Sequence, residues 1–172
     1  MSQSMFVIVM GVSGSGKNTV GELLADRLGC PFYDGDNFHP PANIAKMSAG
    51  IPLDDDDRRG WLEALAGLIR RSLDMGECGV LACSALKHTY RDLLRVDPQR
   101  VHFVYLKGNY DLIWERMQRR QGHYMKAAML QSQFKTLEEP VDALIVDITQ
   151  TPQQIVDAVL AQLTGGGAGK LA

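Results

Sequence analysis

The chain is expected to form an α/β protein of three layers, a five-stranded parallel sheet covered by helices on both faces. Three observations carry that expectation. Short apolar segments at residues 5–10, 31–33, 80–83, 101–106 and 143–146 are each separated by stretches with helical spacing. Those segments lack the polar alternation of half-exposed strands, as parallel strands buried on both sides do. A glycine-rich turn also sits between the first apolar segment and the first helical one, a placement typical of doubly wound sheets. At 172 residues and 45% hydrophobic content the chain has the size of one globular domain with one sizeable core.

Helices are expected at about 17–28, 41–48, 55–73, 88–95, 110–120, 126–134 and 152–163. Within 17–28 the apolar positions Val20, Leu23, Leu24 and Leu28 recur at helical intervals, and Trp61, Leu62, Leu65, Leu68, Ile69 and Leu73 form one stripe in the longest helix. Gly122 ends the helix that precedes it. Residues 1–164 read as a single domain, and the glycine-rich tail 165–172 as disordered.

Composition excludes several function classes. The formal net charge of -2 supplies no basic field for a nucleic acid or an anionic membrane. The apolar run 5–10 is too short to span a bilayer and lacks the basic flank of a signal peptide, so a cytoplasmic location is expected. Three cysteines without a CxxC pair, Cys30, Cys78 and Cys83, read as reduced thiols of a reducing compartment. No His/Cys spacing points to zinc.

The residues that carry chemistry begin with Gly11-Val12-Ser13-Gly14-Ser15-Gly16-Lys17, between the first strand and the first helix. That context is what a phosphate-binding P-loop requires. Successive backbone N–H groups converge on phosphate oxygens, the helix N-terminus adds its positive dipole end, and Lys17 adds a cation. Thr19 follows, but Asn18 stands where a serine or threonine hydroxyl usually meets Mg²⁺. Its amide oxygen can accept from a metal-bound water instead, which keeps Asn18 as a candidate metal residue.

Asp34-Gly35-Asp36 falls at the carboxyl end of the second strand, where such sheets open toward their ligand. One carboxylate can organise magnesium while the other takes a proton from an attacking hydroxyl; a plain Asp/Gly turn is the competing reading. The run Asp54 to Asp57 suits a helix N-terminus, leaving Arg58 and Arg59 available to an anionic substrate. Lys87, Arg91 and Arg95 recur at fourfold spacing, either as a solvated stripe or as a carboxylate-binding group. Arg116, Arg119 and Arg120 precede Gly122-His123, a pattern fitting either helix-dipole compensation or a lid at about 119–128 that brings positive charge to a phosphoryl group. His39, between Phe38 and Pro40, suits either a substrate hydrogen bond or packing, whereas His102 lies inside a strand.

The chain resembles gluconate kinases of the P-loop type, relatives of shikimate kinase and the nucleoside monophosphate kinases. The resemblance rests on Met10-Gly-Val-Ser-Gly-Ser-Gly-Lys17, Asp34-Gly-Asp-Asn-Phe-His-Pro40, Pro52-Leu-Asp-Asp-Asp-Asp-Arg58 with Trp61-Leu62, Cys83-Ser-Ala-Leu-Lys87 with Tyr90-Arg-Asp-Leu-Leu-Arg95, Val104-Tyr-Leu-Lys-Gly108, Gly122-His123, Met129-Leu130 with Gln133-Phe134, and Leu137-Glu-Glu-Pro140. It spans nearly the whole chain, and Asn18 is its one departure.

What the resemblance implies is a P-loop kinase fold with sheet order 2-3-1-4-5, a helical substrate lobe and a lid. It further implies a homodimer that uses ATP and Mg²⁺ to phosphorylate gluconate at its 6-hydroxyl. Asp36 is then the base, Asp34 a water-mediated magnesium partner, and Arg120 or Arg119 the lid charge. Lys87, Arg91, His39 and Arg58 form a substrate pocket, and adenine lies between Arg116 and residues 149–152. Two readings compete: the same fold acting on shikimate or a nucleoside monophosphate, and an ATP-binding protein without turnover, which has little use for a positioned base.

Overall fold

The structure is a computed structural model that describes residues 4–119 and 127–165. Its central strand β1 (Phe6–Met10) is buried along its whole length. Alternation along it feeds two cores: Val7 and Val9 join one cluster, and Phe6, Ile8 and Met10 join the other. Around it lie β2 (Phe32–Asp34), β3 (Gly79–Ala82), β4 (Val101–Lys107) and β5 (Leu144–Asp147), all parallel, in the order β2-β3-β1-β4-β5. That is the order the family resemblance implies.

The first core is closed by α1 (Lys17–Leu28), α5 (Tyr110–Arg119), α6 (Ala127–Thr136) and α7 (Pro152–Gly165), through Leu24, Ile113, Leu130 and Ile155 among others. On the other face α3 (Asp55–Asp74) and α4 (His88–Leu94) bury Trp61, Leu65, Ile69, Tyr90 and Leu94. A short α2 (Pro41–Ser48) precedes α3. Because β1 lies between β3 and β4, the chain leaves the sheet's carboxyl edge in opposite directions on either side of it, which opens a crevice there.

Local chemistry explains the element ends. Gly16 caps α1 in the left-handed region, at φ 97°, and Gly29 closes it at φ 68°. The acidic run caps α3 with a reciprocal box: Asp57 N donates to Asp54 Oδ1 at 2.8 Å, and Asp54 N to Asp57 Oδ2 at 3.0 Å. The polar stretch after β2 forms a one-turn 3-10 helix, Gly35–Phe38, capped by the Asp34 side chain.

Two expectations are corrected. Cys30 and Cys78 form a disulfide, with Cα atoms 5.5 Å apart, leaving Cys83 as a buried thiol. The cause is strand register: Phe32 pairs with Val80 across β2 and β3, so two residues back Cys30 comes opposite Cys78. A separation of 48 residues hides that pairing in the sequence. The C-terminal helix also extends through Gly165, which the sequence assigned to a disordered tail; residues 166–172 lie outside the described residues. No described helix is long and apolar enough to cross a membrane.

Candidate nucleotide and acceptor site

The P-loop wraps the carboxyl end of β1. Gly14 has φ 77°, and a Cβ there would come within 2.6 Å of Met117 Cγ, so both the turn and the approach of α5 demand glycine. Ser15 Oγ is buried without a hydrogen-bond partner among the described residues. A buried hydroxyl without a partner on this loop fits a bound phosphate oxygen, since buried polar atoms otherwise find partners. Lys17 curls back, its Nζ donating to Gly11 O at 3.1 Å and Val12 O at 3.0 Å. Burial lowers the pKa of its ammonium, while Asp36, Cys83 and Asp34 pull it back up.

One cavity runs beside the loop, lined by Gly14, Gly16, Thr19, Arg116, Gln150 and Pro152. Arg116 donates to Ile148 O at 2.6 Å, which sets its guanidinium over the loop that follows β5. That is where the sequence reading puts adenine. Arg119 instead ion-pairs with Glu115 along the exposed face of α5. Arg120 and most of the expected lid, residues 120–126, lie outside the described residues.

A second cavity is lined by Lys17, Asp36, His39, Arg58, Trp61 and Gln133, among others. Asp34 and Asp36 are held by their own turn: Asp34 Oδ1 accepts from Asp36 N at 3.0 Å. Asn18 Nδ2 donates to Asp34 Oδ2 at 3.0 Å, so the amide contacts the carboxylate through its nitrogen and its oxygen is left to accept. Gly35 is required because a Cβ there would meet Ala82 O at 2.6 Å. Its carbonyl accepts from Trp61 Nε1 at 2.7 Å, and Trp61 stacks on His39 with centroids 4.2 Å apart. Burial lowers the pKa of His39; Asp36 raises it and Arg58 lowers it further.

Of the four residues expected around the substrate, Lys87 and Arg91 do not line this cavity, His39 does, and so does Arg58. It donates to Tyr90 Oη at 2.9 Å, and Tyr90 in turn bonds to Asp55. Lys87 is the N-cap residue of α4 and gives its ammonium to Asp55 Oδ1 at 2.8 Å. Arg91 is turned inward, donating to the carbonyls of Ala85 (2.7 Å), Leu86 (3.1 Å) and Glu138 (2.8 Å). Arg95 pairs with Asp142. The sequence reading passed over Asn43, which contacts His39 Nδ1, and the Gln133 side chain, whose Oε1 accepts from Ser13 N at 2.6 Å. Gln133 did stand within a family-like segment, but no local spacing singles it out.

Comparison with known proteins finds relatives along nearly the whole chain. A family model described as Shikimate kinase matches residues 13–164. The chain is 44% identical over 163 residues to the thermoresistant gluconokinase of Escherichia coli (strain K12), covering 92% of this chain and 93% of that one. It is 46% identical over 158 residues to a gluconokinase of Gluconobacter oxydans (strain 621H), covering 92% and 88%. The crystal structure of a gluconokinase from Sinorhizobium meliloti 1021 superposes with a TM-score of 0.86 at 45% identity, covering 96% of each chain. These likenesses mean that the chain belongs to the gluconokinases of the shikimate-kinase-like family.

Proposed function

We propose that the protein transfers the terminal phosphate of ATP to the 6-hydroxyl of gluconate. The observation that supports this most is that Lys17 and Asp36 line one cavity, with the phosphate loop behind it and Arg58 across it. The gluconokinase relatives supply the choice of acceptor.

In this reading the backbone of Ser13 to Thr19 and the Ser15 hydroxyl hold the triphosphate, with Arg116 against the adenine. Lys17 leaves the Gly11 and Val12 carbonyls for the phosphate oxygens. Asp36 accepts the proton of the acceptor hydroxyl as its oxygen attacks the γ-phosphorus; the bond to the β-γ bridging oxygen breaks, ADP departs, and Asp36 returns the proton to solvent. Arg58 and His39 orient the acid. Arg120 is assigned the lid charge by likeness to the family, while Lys87 and Arg91 act as framework behind the pocket. Asp34, with the Asn18 amide oxygen, would hold Mg²⁺ through water, and the ion would neutralise charge on the phosphates. Family likeness also supports a homodimer and a cytoplasmic setting.

Coupled ADP release with a panel of acceptors tests the reading. Gluconate should sustain turnover, glucose should be poor for want of a carboxylate, and shikimate and nucleoside monophosphates should be inert. Efficient phosphorylation of glucose would sink the anion-pocket argument, and inactivity with gluconate would sink the assignment.

A further inference from the structure

Asn43, buried on α2, sits one turn beyond His39 in the sequence, and its amide nitrogen touches two groups. Nδ2 lies 2.7 Å from the backbone oxygen of Asp57 and 3.2 Å from His39 Nδ1. A carbonyl oxygen only accepts, so the amide must face Asp57 with its NH₂; turned over, it would press two oxygens together in a buried place. The same NH₂ has no lone pair to offer His39. Nδ1 is therefore the acceptor, and the proton of the neutral ring resides on Nε2. Stacking on Trp61, with planes 14° apart, fixes the ring itself. Trp61 is in turn pinned by Gly35 O, between the two aspartates.

The ring lines the acceptor cavity beside Asp36 and Arg58, and among the described residues no polar atom bonds to Nε2. We propose that Asn43 is a positioning residue that locks His39 in its Nε2–H form, and that this N–H is a specificity-determining donor to an oxygen of the polyhydroxy acid. The proposal rests on the acceptor reading above. Asp36 is committed to accepting a proton and Lys17 to the phosphates, so a hydroxyl next to the reacting one meets a neutral donor in His39. The other tautomer would present a lone pair at that place and would ask the substrate to donate instead.

The tautomer can be read without any substrate, from long-range ¹H–¹⁵N correlation spectra of the imidazole at neutral pH. The spectrum should show a protonated Nε2 and an unprotonated Nδ1, and Asn43→Ala should convert it to a tautomer mixture. A ring protonated on Nδ1 in the wild-type protein overturns the proposal. Kinetics test the donor role: glutamine can place an amide N–H near the Nε2 position, whereas asparagine reaches only the Nδ1 position. His39→Gln should keep the gluconate KM within about threefold, and His39→Asn should raise it about tenfold or more with little change in kcat, the pattern of a lost binding interaction. Equal KM values in the two variants overturn the donor role even if Asn43→Ala fails to fold. A wild-type protein inactive with gluconate would defeat the functional reading, while the spectrum would still decide the tautomer.

Discussion

Asp36 stands two residues from Asp34, yet the two carboxylates have different surroundings. Asp34 accepts from Asn18 and from the Asp36 backbone, so both of its oxygens are engaged. Asp36 has neither bond and faces the acceptor cavity with Lys17. That division favours Asp36 over Asp34 as the base of the proposed transfer, and Asp36→Asn should lower kcat by about 10²-fold or more with little change in ATP affinity. Single-turnover kinetics and nucleotide binding measured on the same variant check it. Equal losses in both would make Asp36 a nucleotide ligand instead. The phosphate loop and the aspartate pair were legible because each is encoded within a few consecutive residues whose spacing carries the chemistry. Asn43, Tyr90 and Gln133 were not legible, because their roles arise only when distant elements meet. Ser13 and Gln133 are 120 positions apart, and Arg58 and Tyr90 are 32 apart.

At the scale of elements, α4 shows how a correct helix can mislead about its side chains. The helix was expected at 88–95 and runs His88–Leu94, so Lys87 stands before its first turn rather than on a shared face with Arg91. Between β3 and α4 the chain passes through Ala85 at φ 45°, a left-handed conformation unusual for alanine. Arg91, only 5% exposed, satisfies the carbonyls of Ala85 and Leu86 and ties them to Glu138 O. Periodicity identifies the face on which an arginine lies, but not whether that face meets solvent, substrate or backbone. Arg91→Ala should therefore cost about 3 kcal/mol, since the Ala85 and Glu138 carbonyls lose its guanidinium, at roughly 1–3 kcal/mol for each buried carbonyl left without a donor, while Leu86 O keeps the Glu138 N–H. Urea denaturation measures the loss. The gluconate KM of the folded variant should stay near wild type; a raised KM with unchanged stability would return Arg91 to the substrate pocket.

For the whole molecule, strand number, helix number and layering were legible from alternation and apolar runs, because a doubly covered parallel sheet imposes them on every segment. Register was not, since it depends on which strands become neighbours. The disulfide is its consequence: β2 beside β3 brings Cys30 opposite Cys78 at the amino edge of the sheet, away from the phosphate loop and Asp36 at the carboxyl edge. A cross-link closing a 48-residue separation restricts the unfolded chain and should stabilise the oxidised protein by up to about 4 kcal/mol. For a chain of this length that corresponds to a rise in Tm on the order of 10 °C. A reducing compartment would keep the pair as thiols, so the comparison is between the same protein with and without reductant. Thermal unfolding should fall to lower temperature when reductant is added, while the gluconate kcat/KM measured well below either Tm stays constant, because the staple and the site occupy opposite edges. The double variant Cys30→Ser, Cys78→Ser should match the reduced protein and ignore reductant. If thiol titration of the denatured, unreduced protein counts three thiols instead of one, the cross-link is absent; if reduction alters kcat/KM, the two edges of the sheet are coupled and their separation does not insulate the site from the staple.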